Sequence, residues 1–210
     1  MNDIASQIKA IHREVGTRPI ESGEVVSVQL RHTYDAPIED VWEAVTDPVR
    51  LKRWFLPVSG DLRVGGTFQF EGNAGGDILT CEPPRLLKAT WGGPTSLVEL
   101  RLSPGEDSDT VLEFEHTVPI EMAGSGAGAL YVGPGWDAAL RSLGLFLRGE
   151  AGDDPVALEN SPEGQEFSRQ SVHAWVTVVE SSGTASTEDI AAATEVSLAQ
   201  FAPGLGASQH

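Results

Sequence analysis

EVVSVQLRHTYDAPIEDVWEAVTDP, residues 24–48, changes its hydrophobic period partway, and that change decides the fold. From Glu24 to Tyr34 the period is two. Val26, Val28, Leu30, His32 and Tyr34 face one way, and Val25, Ser27, Gln29, Arg31 and Thr33 the other, which predicts a strand. Asp35-Ala36-Pro37 then opens a helix, with proline suited to the first turn and Val41, Trp42 and Val45 as the apolar face. Asp47-Pro48 breaks it and starts a second short helix through Leu51 and Trp54.

Working outward, the next segments return to period two. Strands are predicted over Thr67–Glu71 after Gly65-Gly66, over Asp77–Glu82 after the glycine-rich turn 72–76, and over Leu86–Trp91 after Pro83-Pro84. Two more follow over Thr95–Leu102 and Thr110–Val118. Short connections between consecutive strands imply an antiparallel meander. Leu112, Phe114, His116 and Val118 share one face while Glu113 and Glu115 share the other, so the sheet should be covered on one side. Gly133-Pro134-Gly135 opens a long helix whose stripe of Trp136, Ala139, Leu140, Leu143 and Leu147 is the natural cover.

The flanks read as helical. Ile4, Ile8, Ile11 and Val15 make one stripe of an N-terminal helix over residues 3–15, ended by Gly16 and Pro19, so residues 1–20 form a segment of their own. Residues 149–160 read as a linker. Helices over Ser161–Glu180 and from Thr187 to Phe201 make residues 155–202 a helical extension, and 203–210 a tail. Val172, Trp175, Val176 and Val179 form a stripe that needs burial on the sheet, over a cavity or in a homodimer.

Composition narrows the function classes. The 210 residues carry a net charge of −17, which repels phosphate backbones and anionic headgroups and argues against nucleic-acid binding. No apolar run approaches the roughly 18 residues that span a bilayer, so no membrane role is expected. The N-terminus lacks the basic and apolar regions of a signal peptide, and the single cysteine, Cys81, fits a reducing compartment; the chain reads as cytoplasmic. HExxH, CxxC and GxSxG are absent and the five histidines are scattered, so no metal and no cofactor are expected.

Tyr34–Pro48 with Leu51 and Trp54, the run Gly65-Gly66-Thr67-Phe68, the strand Leu112–Val118 with His116, and Gly133-Pro134-Gly135-Trp136 together resemble START-like helix-grip proteins of the SRPBCC superfamily. More narrowly, they resemble bacterial relatives of the C-terminal domain of the activator of Hsp90 ATPase. The resemblance covers residues 24–150. It implies an α+β helix-grip domain, a curved antiparallel sheet around a long C-terminal-side helix, with a deep apolar cavity between them. The function it implies is binding of a small hydrophobic molecule, lipid-, sterol- or polyketide-like. Two other roles are a cyclase or dehydratase acting on a hydrophobic carbonyl compound, and a regulator of an Hsp90-type ATPase.

Within that frame, His116 is the candidate for chemistry. Strand alternation points it into the apolar face, where an imidazole can orient a ligand hydroxyl or act as a base. His32 shares this property nearer a strand end. Trp54, Trp91 and Trp136 offer flat faces for a cavity wall, with Phe68, Phe70, Leu100, Phe114 and Leu140 beside them, and Tyr131 offers a hydroxyl at the mouth.

Overall fold

Every segment with a period of two becomes a strand. The computed structural model describes residues 3–152 and 154–204. Its strands are β1 (His12–Ile20), β2 (Gly23–Tyr34), β3 (Val58–Gly60), β4 (Thr67–Phe70), β5 (Gly75–Glu82), β6 (Leu86–Thr90), β7 (Leu97–Pro104) and β8 (Thr110–Pro119). They form one antiparallel sheet in the order β1-β2-β8-β7-β6-β5-β4-β3. The helices are α1 (Ile4–Ala10), α2 (Ile38–Thr46), α3 (Pro48–Leu51), α4 (Ile120–Ala123), the long α5 (Gly133–Leu147), α6 (Pro155–Glu159), α7 (Pro162–Ser182) and α8 (Thr187–Phe201), with a 3-10 helix at Gly126–Tyr131. Two compact units make up the chain. One holds Arg31–Thr117 and Ser142–Pro155; the other holds the residues up to Leu30, Val118–Arg141 and the residues from Val156 onward.

In the first of these units, strand register sorts the side chains. Leu87 pairs with Leu100 and Leu100 with Phe114; Ala89 pairs with Val98 and Val98 with His116; Leu102 pairs with Leu112. All of these share one face. The alternate positions carry Lys88, Glu99, Arg101, Glu113 and Glu115, and Glu99 bridges Lys88 at 3.5 Å and Arg101 at 2.7 Å. The pairing of β5 is irregular. A Cβ on Gly76 would lie 2.1 Å from the Thr90 carbonyl oxygen, so only glycine allows this approach, and the β5–β6 register shifts between Ile78 and Thr80. Asp47 caps α3 through the amides of Val49 and Arg50, and Pro48 occupies its first turn. The unit also holds β3, a short strand the sequence did not announce.

In the other unit the N-terminal reading needs correction. The helix ends at Ala10, and residues 12–20, including Val15, Gly16 and Pro19, form the edge strand β1. Arg13 explains the boundary: its Nη1 donates to the carbonyls of Ile8 and Ile11 at 2.8 Å each, satisfying acceptors that a continuing helix would have used. Pro19 is tolerated because an edge strand has amides that need no partner. The β-branched Val15 and Thr17 suit a strand better than a helix, and Gly16 disfavours a helix interior. Smaller features lie in the connections: α4 and the 3-10 helix precede α5, α6 lies in the region read as a linker, and Ser186 caps α8 in a reciprocal box with Asp189. The tail falls outside the described residues beyond Gly204.

The extension's stripe is buried within this unit. Val172, Trp175 and Val179 are enclosed together with Phe167, while Val176 is half-buried, and α7 packs on α1, β1, α8 and the 3-10 helix. Consecutive residues Val25, Val26, Ser27 and Val28 of β2 are all buried, so the sheet is covered on both faces there, not on one as expected. Gly133 has a packing role: a Cβ would lie 2.4 Å from the Trp175 ring. Beneath that contact lies a buried ion pair. Asp137 of α5 is 0% exposed, and one of its oxygens accepts from Arg13 Nε at 2.8 Å, from Trp175 Nε1 at 3.1 Å and from the Ser171 hydroxyl. Removing one partner of such a pair strands the other. Asp137→Ala should destabilise the protein by about 3–5 kcal/mol in urea unfolding, and combining it with Arg13→Met should recover much of that loss. Equal unfolding midpoints for native and Asp137→Ala protein would contradict the role given to the pair.

Candidate functional site

The apolar sheet face of β4–β8 gathers most of the predicted residues. Phe68 and Phe70 alternate inward along β4 while Thr67 and Gln69 face solvent. Trp54 follows α3 and is fixed by its indole N–H, which donates to the Ala44 carbonyl at the end of α2 at 2.8 Å. The rings then make one cluster. Phe68 and Phe70 are 5.6 Å apart edge to face, Trp91 lies 5.9 Å from Phe68 and 5.7 Å from Phe70, and Phe55 bridges Phe70 at 5.0 Å to Trp54 at 5.6 Å. Phe55 was not singled out from the sequence; its only signal was its place beside Trp54.

Next to the aromatic cluster is a polar pair. Ser96 and His116 are both buried, and Ser96 Oγ lies 2.8 Å from His116 Nε2. The backbone places them: Trp91 N–H donates to the Ser96 carbonyl at 2.9 Å, and His116 pairs with Val98, the next residue on Ser96's face. Ser96 thus lies between the imidazole and the aromatic wall. The alternation Ser96, Val98, Leu100, Leu102 would have assigned it to the inner face, but a serine in that row draws no attention on hydropathy alone. Burial pushes the His116 pKa down to about 4, so the ring is neutral near pH 7.

The face is incompletely covered. Trp91, Val98, Leu100 and Phe114 sit on or beside interior strands, and each stays only half-buried. Ala89, Leu102 and Leu112 on the same face are buried. The remaining candidates are distributed otherwise. His32 packs edge to face against Tyr34 at 4.6 Å. Tyr131, Trp136 and Leu140 belong to the other compact unit, where Tyr131 is 42% exposed at the end of the 3-10 helix, Trp136 is half-buried and Leu140 is buried. The buried positions of α5 are Gly133, Pro134, Asp137, Leu140, Leu143 and Gly144, so its stripe runs through an aspartate that hydropathy had excluded. Among the described residues no three His, Cys, Asp or Glu side chains group as metal ligands, and no helix is long and apolar enough to cross a membrane.

The depressed His116 pKa has a pH consequence. The unfolded chain takes up a proton near pH 6.5 and the folded protein only near pH 4. Stability is therefore constant above the unfolded value and lost as pH falls between the two, by about 3 kcal/mol over the window. His116→Gln should flatten that part of the stability profile. In NMR titration the His116 ring signals should stay unchanged from about pH 8 to about pH 5; a midpoint near 6.5 would refute the buried neutral assignment.

Comparison with known proteins fits this architecture. Residues 35–148 match the family described as Activator of Hsp90 ATPase homolog 1-like protein. The chain is similar to CalU16 from Micromonospora echinospora: against its crystal structure the identity is 45%, covering 81% of this chain and 98% of that one at a TM-score of 0.67. Against the solution structure of CalU16 the identity is again 45%, covering 82% and 97%, with a TM-score of 0.68. DynU16, a protein in the dynemicin biosynthetic locus, shares the fold at 24% identity over 61% of this chain and 49% of that one, with a TM-score of 0.51. No curated protein matched. The α+β helix-grip architecture expected from residues 24–150 is thus the one observed, and the chain belongs to the Activator of Hsp90 ATPase homolog 1-like family.

Proposed function

We propose that this protein binds a small hydrophobic, ring-containing molecule against the apolar sheet face of β4–β8. The observation that carries the reading is the half-burial of Trp91, Val98, Leu100 and Phe114, with Leu87 beside them, on a face whose Ala89, Leu102 and Leu112 are buried. Apolar surface left accessible in a sheet centre is costly, at about 25 cal/mol per Å², and a ligand that covers it recovers that free energy. The joined rings of Trp54, Phe55, Phe68, Phe70 and Trp91 favour flat partners, which stack or meet them edge-on.

Binding is preferred to turnover on the chemistry of His116. A general base works best with a pKa near the working pH. With its conjugate acid at about 4, His116 accepts a proton weakly at neutral pH but makes a good uncharged hydrogen-bonding group. The cyclase or dehydratase role would need that pKa restored by the substrate.

The test uses N-phenyl-1-naphthylamine, a neutral probe that fluoresces in apolar surroundings. The native chain should bind it saturably, with energy transfer from tryptophan. Trp91→Ala should weaken binding about tenfold, the loss of one aromatic contact. Val196→Ala, on the exposed face of α8, should leave binding unchanged. No saturable binding, or equal binding by Trp91→Ala, would overturn the assignment of the site.

A further inference from the structure

The Ser96–His116 pair is more than a packing detail of the β6–β7–β8 surface. We propose that it reads the ligand, selecting a ring-containing molecule that carries one neutral oxygen, a phenolic hydroxyl or a ring ketone, over its hydrocarbon and carboxylate analogues. The inference rests on the binding reading above and names the chemistry of its ligand.

Geometry supplies the first support. Ser96 Oγ sits 2.8 Å from His116 Nε2, on the same face as half-buried Val98 and Leu100 and across from half-buried Trp91. A polar group at the edge of an accessible aromatic patch is where a ligand lying on Trp91 would present a substituent.

The hydrogen-bonding inventory supplies the second. A serine hydroxyl has one donor and two acceptor positions, and the imidazole uses only one of them. If Nε2 is bare, Ser96 donates to it and keeps its lone pairs for a ligand hydroxyl. If Nε2 carries the proton, Ser96 accepts and keeps its own hydrogen for a ligand carbonyl. Either neutral tautomer leaves the hydroxyl a position for a neutral ligand oxygen.

Charge supplies the third. His116 is uncharged at neutral pH because burial opposes its protonation. The neighbouring cations Lys88 and Arg101 occupy the alternate face and pair there with Glu99. A carboxylate brought to Ser96 would lose its water without meeting a positive partner, which is costly.

Three probes of one shape separate the outcomes: naphthalene, 2-naphthol and 2-naphthoate, titrated against the full chain by ligand-observed NMR. The native protein should bind 2-naphthol roughly threefold to tenfold tighter than naphthalene, one net hydrogen bond, and 2-naphthoate weakest. Ser96→Ala should bind the naphthol and naphthalene alike. Ser96→Thr, which keeps the hydroxyl, should restore the preference for the naphthol. If Ser96→Ala does not fold, the comparison of Ser96→Thr with His116→Gln decides: the first keeps the naphthol preference and the second reduces it. Equal binding of naphthol and naphthalene by the native chain, or tightest binding of naphthoate, would overturn the reader while leaving the binding site standing. Failure of all three probes together with N-phenyl-1-naphthylamine would remove the site itself.

Discussion

The buried carboxylate of Asp137 binds together segments that lie far apart in the chain, with Arg13 124 residues away and Ser171 and Trp175 34 and 38 residues away. Burying a charge is costly unless it is paired and hydrogen-bonded, and here one oxygen receives three donors. Burial pushes the carboxyl pKa up, while Arg13 and the three hydrogen bonds pull it down. The same guanidinium turns its Nη1 to the carbonyls of Ile8 and Ile11, so one cluster fixes both the end of α1 and the position of the extension helix α7. An apolar replacement of comparable volume would serve stability as well. An ion pair adds a geometric demand: only one register of β1, α5 and α7 satisfies it.

That demand also explains where the sequence could be read and where it could not. Strand alternation from Val98 to Leu102 and from Leu112 to His116 reports directly on a two-sided sheet, and the structure has it so. The long helix announced by Gly133-Pro134-Gly135 is α5, and the Ser161-Pro162 start is a serine-capped α7. The N-terminal stripe misled because Ile4, Ile8 and Ile11 do have helical spacing. What ended the helix is a side chain, Arg13, whose partner stands at residue 137, and no local window contains both. The aspartate inside the α5 stripe was invisible for the same reason: a lone acid among leucines is sensible only when its arginine is known.

The candidate site shows the same division. Trp54, Phe68, Phe70 and Trp91 were legible as large rings on predicted apolar faces, and they do meet. Tyr131 and Trp136 lie in the other compact unit, an assignment that spacing does not carry. Ser96 was missed because hydropathy ranks it with turn residues, and it follows the Gly92-Gly93-Pro94 turn. Only register shows that its row continues through Val98 and Leu100, and that His116 stands beside it.

An intramolecular partner for Ser96 has a consequence for selectivity. A site whose polar group is left unpaired by the wrong ligand rejects that ligand by several powers of ten, because the full desolvation cost falls on the mismatched complex. Here the hydroxyl keeps its bond to His116 whether a hydrocarbon or an oxygenated ligand lies against Trp91. The penalty for a hydrocarbon is only the bond not gained, so discrimination is modest. The gain is on the other side: with no ligand present, neither Ser96 nor the His116 nitrogen facing it is stranded, and the free protein does not depend on a ligand to satisfy that buried pair. Such a pair suits a binder of related neutral molecules better than a site committed to one. Charge adds to the discrimination, since Lys88 and Arg101 lie on the alternate face and are engaged there by Glu99.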